Sequence, residues 1–247
     1  MSATTSYEAM FSTVIGKDYD LLKLICPAAT EMSRLVGEVV QTYPKTTETL
    51  QVVELGGGTG ITTLALLSSQ TNLHVLSIDN EPTMQEQAKH HLQQWVTDGR
   101  LSFCGDDALT ALKHLTDNSI DLIASAYTLH NFLNTYREQV LKEIFRVLKP
   151  NGQFINGDRY ALNDIRHHTR AVQDEVSQYF EILTPLNRTD VLKQWIVHLF
   201  NDESEDHVMR ENNALQQMHH FGFIDIKINH RMTVNALLTA SKPKPSA

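Results

Sequence analysis

Cysteine is scarce: Cys26 and Cys104 are the only two in 247 residues and lie far apart. That excludes a disulfide framework and suits a reducing compartment. No run approaches the ~18 apolar residues needed to span a bilayer, so no membrane partner is expected. The start, Met1 to Met10, has neither a basic n-region nor an apolar h-region, and the sequence predicts a cytoplasmic protein. Positive charge is also short, with 21 Lys and Arg against 29 Asp and Glu and a net charge of -8. Only the tail, at Lys242 and Lys244, is locally basic. Phosphate neutralisation supplies much of nucleic-acid affinity, so nucleic acid is disfavoured and a small-molecule substrate favoured. Nothing in the composition opposes a homodimer. With 41% hydrophobic and 20% charged residues, the chain fits one large α/β domain with a full core.

The centre alternates strand and helix signals. Leu50–Leu55, Leu73–Asp79, Leu101–Cys104 and Ile120–Ala126 read as strands, and Gln153–Asn156 begins a fifth. Helices are expected from about Ile61 to Ser69, from Pro82 to about Val96, and from Asn134 to Leu148, where Lys149-Pro150-Asn151-Gly152 stops the last. Such alternation with short connections means a parallel, doubly wound sheet. Residues 1–47 read as a helical cover broken at Cys26-Pro27. Residues 48–247 form the α/β domain, with a helical insertion at about 160–205. Helices are expected near 162–180, 189–200 and 205–220, interrupted at Pro185 and the acidic run Asn201–Asp206. Ile224–Asn229 and Val234–Ala240, around Asn229-His230-Arg231, predict an antiparallel edge hairpin.

The strongest local signal is Val52-Val53-Glu54-Leu55-Gly56-Gly57-Gly58-Thr59-Gly60. Gly56, Gly58 and Gly60 permit a tight strand-to-helix turn and close approach of backbone to a ligand. Asp79 ends the second strand, where a carboxylate can accept hydrogen bonds from ribose hydroxyls. Gly105-Asp106-Asp107-Ala108 follows the third, where an acid can accept from an adenine amine. The glycine spacing is not the GxGxxG of dinucleotide folds, and no Walker lysine is present. Glu54 at the strand end is awkward beside a pyrophosphate but favourable near a ligand carrying a sulfonium and an ammonium.

Val52–Gly60, Asp79, Gly105-Asp106-Asp107 and the Leu148–Gln153 turn resemble the ordered motifs of class I S-adenosylmethionine (SAM)-dependent methyltransferases, over roughly residues 48–158. The resemblance implies a Rossmann-like sheet and SAM as cofactor. It implies ribose binding at Asp79, the adenine amine at Asp106, and the methionine part against Gly56, Gly58 and Gly60. Glu54 would reach the amino-acid end directly or through water, and Asn80 and Asp107 join the cofactor-binding set. A narrower resemblance is to carboxy-SAM synthase of bacterial tRNA modification, through Ile78–Met84, Tyr127-Thr128-Leu129-His130 and Gly16–Tyr19. That family's carboxylate-binding arginine has no counterpart in Val191–Phe200, where only Lys193 stands, which favours ordinary SAM.

His130, after the fourth strand, is the candidate general base because its unperturbed pKa lies near neutrality. Tyr127 and Asn131 are its candidate partners in shaping the catalytic pocket. The polar groups of Asn156-Gly157-Asp158-Arg159-Tyr160 are expected at the same opening, where Arg159 could anchor a carboxylate of cofactor or substrate but reads first as a surface ion pair. Tyr19 could fold over the cofactor as an aromatic lid. The adjacent pairs His90-His91, His167-His168 and His219-His220 lack the i, i+4 geometry of a helical metal clamp, so no metal site is expected. The reading that follows is methyl transfer to a small-molecule acceptor. The alternatives are a SAM-consuming cyclase or lyase and a non-catalytic SAM-binding protein.

Overall fold

A computed structural model describes residues 22–44 and 47–244. Strand β1 (Leu50–Leu55) shows how the sheet is built. Leu50 and Val52 join the core cluster on one face, while Val53 and Leu55 join the cluster on the other. Both faces of this central parallel strand are covered, so four of its six residues are apolar and only Gln51 is not fully buried. The other strands are β2 (Leu73–Ile78), β3 (Leu101–Cys104), β4 (Ile120–Ala126), β5 (Leu148–Arg159), β6 (Ile224–Met232) and β7 (Asn235–Ser241). They lie in the order β3-β2-β1-β4-β5-β7-β6. The first five are parallel, and β7 runs antiparallel to both β5 and β6. This is the expected α/β sheet with an antiparallel edge hairpin. Among the described residues no helix is long and apolar enough to cross a membrane.

Helices α1 (Pro27–Thr42) and α2 (Ile61–Ser69) cover one face, with α3 (Pro82–His91) and α4 (Gln93–Thr97) at its margin. The other face carries α5 (Ala108–His114), α6 (Asn134–Val147) and α9 (Glu211–His220). Between β5 and α9 stand α7 (Ile165–Leu183) and α8 (Thr189–Asp202). They pack on each other through Tyr179, Leu183, Val191, Leu192 and Leu199, a cluster that Ile25 completes. The Asp164 carboxylate caps α7 by accepting from the His167 N–H.

Several boundaries differ from the sequence reading. The helix expected from Pro82 to Val96 breaks at Leu92, which leaves helical geometry and is wholly buried against the start of α2. Strand β5 begins at Leu148 and not at Gln153. Its pairing with β4 shifts register between Ile120 and Leu122, and Asn151 takes a positive φ of 65°. Pro150-Asn151-Gly152 is thus a bulge inside the strand. The hairpin turns at Thr233 (φ 55°), beyond Asn229-His230-Arg231, which stay in β6. Within the segment assigned to the cover, α1 packs on the sheet itself, with Met32, Val36 and Val40 wholly buried. Residues 1–21, including Gly16–Tyr19 and the proposed Tyr19 lid, lie outside the described residues.

Candidate active site

A cavity of about 680 Å³ opens at the carboxyl ends of the parallel strands. Strand order reverses between β1 and β4, and open α/β sheets bind ligands at such a switch point. One end of the cavity is lined by Gly56, Gly58, Asp79, Asn80 and Asp106. The other is lined by His130, His198 and Asp202, below Tyr179 and Trp195.

The glycine loop is held from both sides. Gly56 has φ +72°, and a Cβ there would lie 2.8 Å from Thr128 Cβ and nearer still to its Oγ1 and Cγ2. Only glycine lets β1 turn this close to the segment after β4. Gly58 has φ +52° and open space where a Cβ would point, which leaves the backbone bare to a ligand. Asp79 organises the loop: Oδ2 accepts from the Gly58 N–H at 2.7 Å and Oδ1 from the Glu81 N–H at 2.8 Å. A carboxylate has about four acceptor sites, so capacity remains for two hydroxyls. Asp106 lines the same end and is exposed.

Three residues of the expected cofactor set are placed differently. Glu54 is wholly buried beneath the loop, outside the cavity lining, where Oε2 accepts from Thr63 Oγ1 at 2.6 Å. It shares the sheet face of Val52, so strand alternation turns it toward α2 and away from the opening. Burial pushes its carboxyl up to about 7, against the Thr63 and Ser77 hydrogen bonds, and its Oε1 has no partner. Gly60 packs under Leu92 and does not line the cavity. Asp107 caps α5: its Oδ1 accepts from the N–H groups of Leu109 and Thr110, both at 3.1 Å, and from Tyr136 Oη at 2.6 Å. The hydrogen bonds from Thr110 and Tyr136 hold it down at about 2. It shapes the wall, whereas Asp106 is met, among the described residues, only on Oδ2, by Cys104 Sγ at 3.7 Å and His114 Nδ1 at 3.9 Å.

His130 stands in a 3-10 turn, Leu129–Asn131, and is only 3% exposed. Its Nδ1–H donates to Asp158 Oδ1 at 2.5 Å, because an ionised carboxylate can only accept. The second Asp158 oxygen accepts from the Leu129 N–H at 2.9 Å, so one carboxylate on β5 fixes both the turn and the imidazole. Burial raises the Asp158 carboxyl, but the His130 ring, its hydrogen bond and the Arg159 N–H bring it below its ordinary value. The buried Arg137 guanidinium sews the turn from behind through the carbonyls of Leu129 (2.8 Å) and Phe132 (2.7 Å). The Nε2 face of His130 is thus aimed into the cavity with a defined tautomer, a requirement for proton transfer.

Tyr127 sits edge-on to His130, with ring centroids 5.6 Å apart, and holds a positive φ of 53°. Its hydroxyl donates to Asn235 Oδ1, and burial drives its pKa well above 10. Such a phenol is a neutral wall and does not move a proton. Asn131 lines the cavity and donates from Nδ2 to the Tyr127 carbonyl at 3.2 Å. Arg159 is no surface pair. It is 6% exposed and bonds Glu175 at 2.8 and 3.0 Å and Glu203 at 2.9 Å, and Glu203 also meets His168 Nε2 at 2.6 Å. With two carboxylates on it, Arg159 is not free to hold a ligand's carboxylate, and Lys193 is exposed and outside the cavity lining. Asp158 was expected only among the polar groups at the opening, and His198 and Asp202 were not singled out by the sequence reading. The one available signal was the i, i+4 spacing of His198 and Asp202 on a helix.

A methyltransferase domain model matches residues 53–156, the stretch that carries β1, the glycine loop, both cavity acids and the His130 turn. That stretch is similar to a methyltransferase domain, and the sheet that carries it has the fold of SAM-dependent methyltransferases. It is 37% identical to a demethylmenaquinone methyltransferase of Leptospira interrogans over 109 residues, which is 44% of this chain and 43% of that relative. It is 22% identical to a carboxy-S-adenosyl-L-methionine synthase of Pseudoalteromonas translucida over 195 residues, 73% of this chain and 78% of that one. The chain spans about half the length of the curated relatives it matches first. In fold it resembles an O-methyltransferase family protein from Burkholderia thailandensis, with a TM-score of 0.63 at 16% identity over 99% of this chain and 61% of that one. The cavity fits the family's cofactor: an open glycine backbone, an acid after β2 and another after β3 face one space, and a surplus of carboxylates suits a cationic ligand.

Proposed function

We propose that the protein transfers a methyl group from SAM to a protic group of a small acceptor placed at the His130 end of the cavity. SAM supplies a methyl group already activated on a sulfonium. Asp79 and Asn80 would hold the ribose edge, Asp106 the adenine amine, and Gly56 and Gly58 the methionine part. The observation that carries the reading is the single cavity joining these groups to His130, whose Nδ1 is fixed by Asp158. His130 Nε2 accepts the acceptor's proton, and the Asp158 carboxylate stabilises the imidazolium that results.

Helices α7 and α8 roof the acceptor end, where Tyr179, Trp195 and Leu199 line the cavity beside Tyr127 and Phe132. These rings favour a flat, largely apolar acceptor bearing a hydroxyl, and the similarity to a demethylmenaquinone methyltransferase points to the same chemical class. A roof of this kind excludes water and fixes the approach.

The test is product identification by mass spectrometry after incubation with SAM, alone and with a panel of phenols, quinols and hydroxy acids. S-adenosylhomocysteine that forms only with an acceptor is the expected result. Methylthioadenosine released without any acceptor would overturn methyl transfer in favour of cyclisation or lysis.

A further inference from the structure

We propose that His130, His198 and Asp202 form a binding site for one divalent transition-metal ion at the acceptor end of the cavity. One ligand atom from each residue lies within 4.8 Å of the others. The Nε2 atoms of His130 and His198 are each 3.7 Å from the same oxygen, Asp202 Oδ2. These separations are too long for hydrogen bonds, so the three donors cluster without satisfying one another. Metal–ligand bonds of about 2.0–2.2 Å bring donors to roughly 3.0–3.4 Å from each other; the two 3.7 Å pairs reach that range by closing a few tenths of an ångström, and the two imidazoles already lie within 4.8 Å.

Two further features suit a cation at this point. Asp202 is only 6% exposed, and its Oδ1 has no hydrogen-bond partner. An orphaned, buried carboxylate oxygen is costly unless a charge meets it. Behind the cluster, Asp158 takes the Nδ1–H of His130 and leaves the Nε2 lone pair facing the other two groups. A carboxylate behind a ligating histidine is the usual outer shell of such sites. On α8, His198 and Asp202 stand one turn apart, the spacing that places two donors on one helical face.

The donor set selects the ion. Two imidazoles and one carboxylate suit zinc, iron(II), cobalt(II) or nickel, whereas magnesium and calcium favour all-oxygen shells. Three protein ligands leave coordination positions open toward the cavity, as at catalytic and not structural sites. There the ion would bind the acceptor's hydroxyl oxygen and lower its pKa, so that the proton leaves to water. In that state His130 is a ligand and not the base. The ion's role toward the acceptor rests on the methyl-transfer reading, but metal binding itself does not.

The test titrates the full-length, chelator-stripped protein with cobalt(II), followed by its visible absorption bands, and with zinc against a chromogenic chelator. One equivalent of cobalt with intense bands is expected. His198→Ala, at a half-exposed side chain that the fold does not need, should abolish the bands and weaken zinc by about 100-fold or more. Asp202→Asn should do the same, while circular dichroism and SAM affinity by calorimetry stay as in the wild type. Cobalt bands that persist undiminished in both variants, or that never form in the wild type, would overturn the site. Failure of SAM to bind would instead strike at the proposed methyl transfer and leave the metal titration decisive.

Discussion

Gly56 couples the two ends of the cavity, and a double-mutant cycle can measure that coupling. Gly56→Ala places a methyl group on a residue with φ +72°, where an L side chain costs about 1–2 kcal/mol. It also drives the new Cβ into Thr128, and overpacking of this kind costs typically about 1–3 kcal/mol. The single variant should therefore lose about 2–5 kcal/mol. Thr128→Gly removes the obstructing side chain and forfeits the Oγ1–H that donates toward the carbonyls of Leu55 and Ala126, both at 3.1 Å, a loss of about 1 kcal/mol. If the clash is real, the double variant keeps the backbone strain of the first substitution but escapes the overpacking. It should be more stable than the sum of the singles by about 1–3 kcal/mol. Urea denaturation of the four proteins gives the number. Because Thr128 directly precedes the turn that carries His130, Gly56→Ala should also lower turnover more than SAM affinity, and the second substitution should narrow that gap. Additivity within about 0.5 kcal/mol would refute the argument, since it would mean that Thr128 yields freely.

Two further outcomes are expected. Asp79→Ala removes the acceptor of the Gly58 and Glu81 N–H groups together with the proposed ribose contacts, so SAM affinity should fall by roughly tenfold or more; unchanged calorimetric binding in a folded variant would reject that role. Glu54 carries a carboxyl raised from 4.5 to about 7, so the folded protein binds a proton that the unfolded chain releases. Its contribution to stability is full below about 4.5 and is lost as pH rises to about 7, a change of roughly 3 kcal/mol. Glu54→Gln should flatten this dependence in urea titrations at about pH 5 and pH 8, and an equal slope in both proteins would show that burial does not raise the group.

The fold was legible where sequence pattern and local chemistry coincide. In β1, β3 and β4 short apolar runs end in glycine or polar turns, and their observed bounds are those read from the sequence. The reading failed where tertiary packing overrides local preference. Leu92 continues a helical pattern, yet its burial beside Gly60 interrupts the helix. Pro150-Asn151-Gly152 has turn chemistry, yet pairing of the flanking Leu148 and Gln153 with β4, and backbone hydrogen bonds of Asn151 and Gly152 with Lys242, make it a bulge in a strand. Helix α1 looked like part of an external cover, and only its contacts with the sheet reveal Met32, Val36 and Val40 as core.

The two ends of the cavity differ in legibility for a physical reason. The cofactor end is written in contiguous segments, because each parallel strand delivers its last residues to the same edge: Gly56 and Gly58 after β1, Asp79 after β2, Asp106 after β3. Position within the repeating strand–helix unit is then enough to bring them together. Even so, alternation along the strand decided against Glu54, whose side chain faces α2, and a helix cap claimed Asp107. The acceptor end obeys that rule only in part: His130 comes from the turn after β4 and Asp158 from the carboxyl end of β5, but His198 and Asp202 come from α8, inside the insertion. The adjacent histidine pairs carry no helical clamp geometry, whereas His198 and Asp202 form an i, i+4 pair. That spacing is common on exposed helices and carries meaning only beside a third donor. Here the third donor is set by the sheet, through an Asp158 that holds His130 in one tautomer. The insertion therefore converts an ordinary cofactor-binding sheet into a site with its own chemistry, and acceptor choice should follow changes in α7 and α8 more closely than changes in the strands.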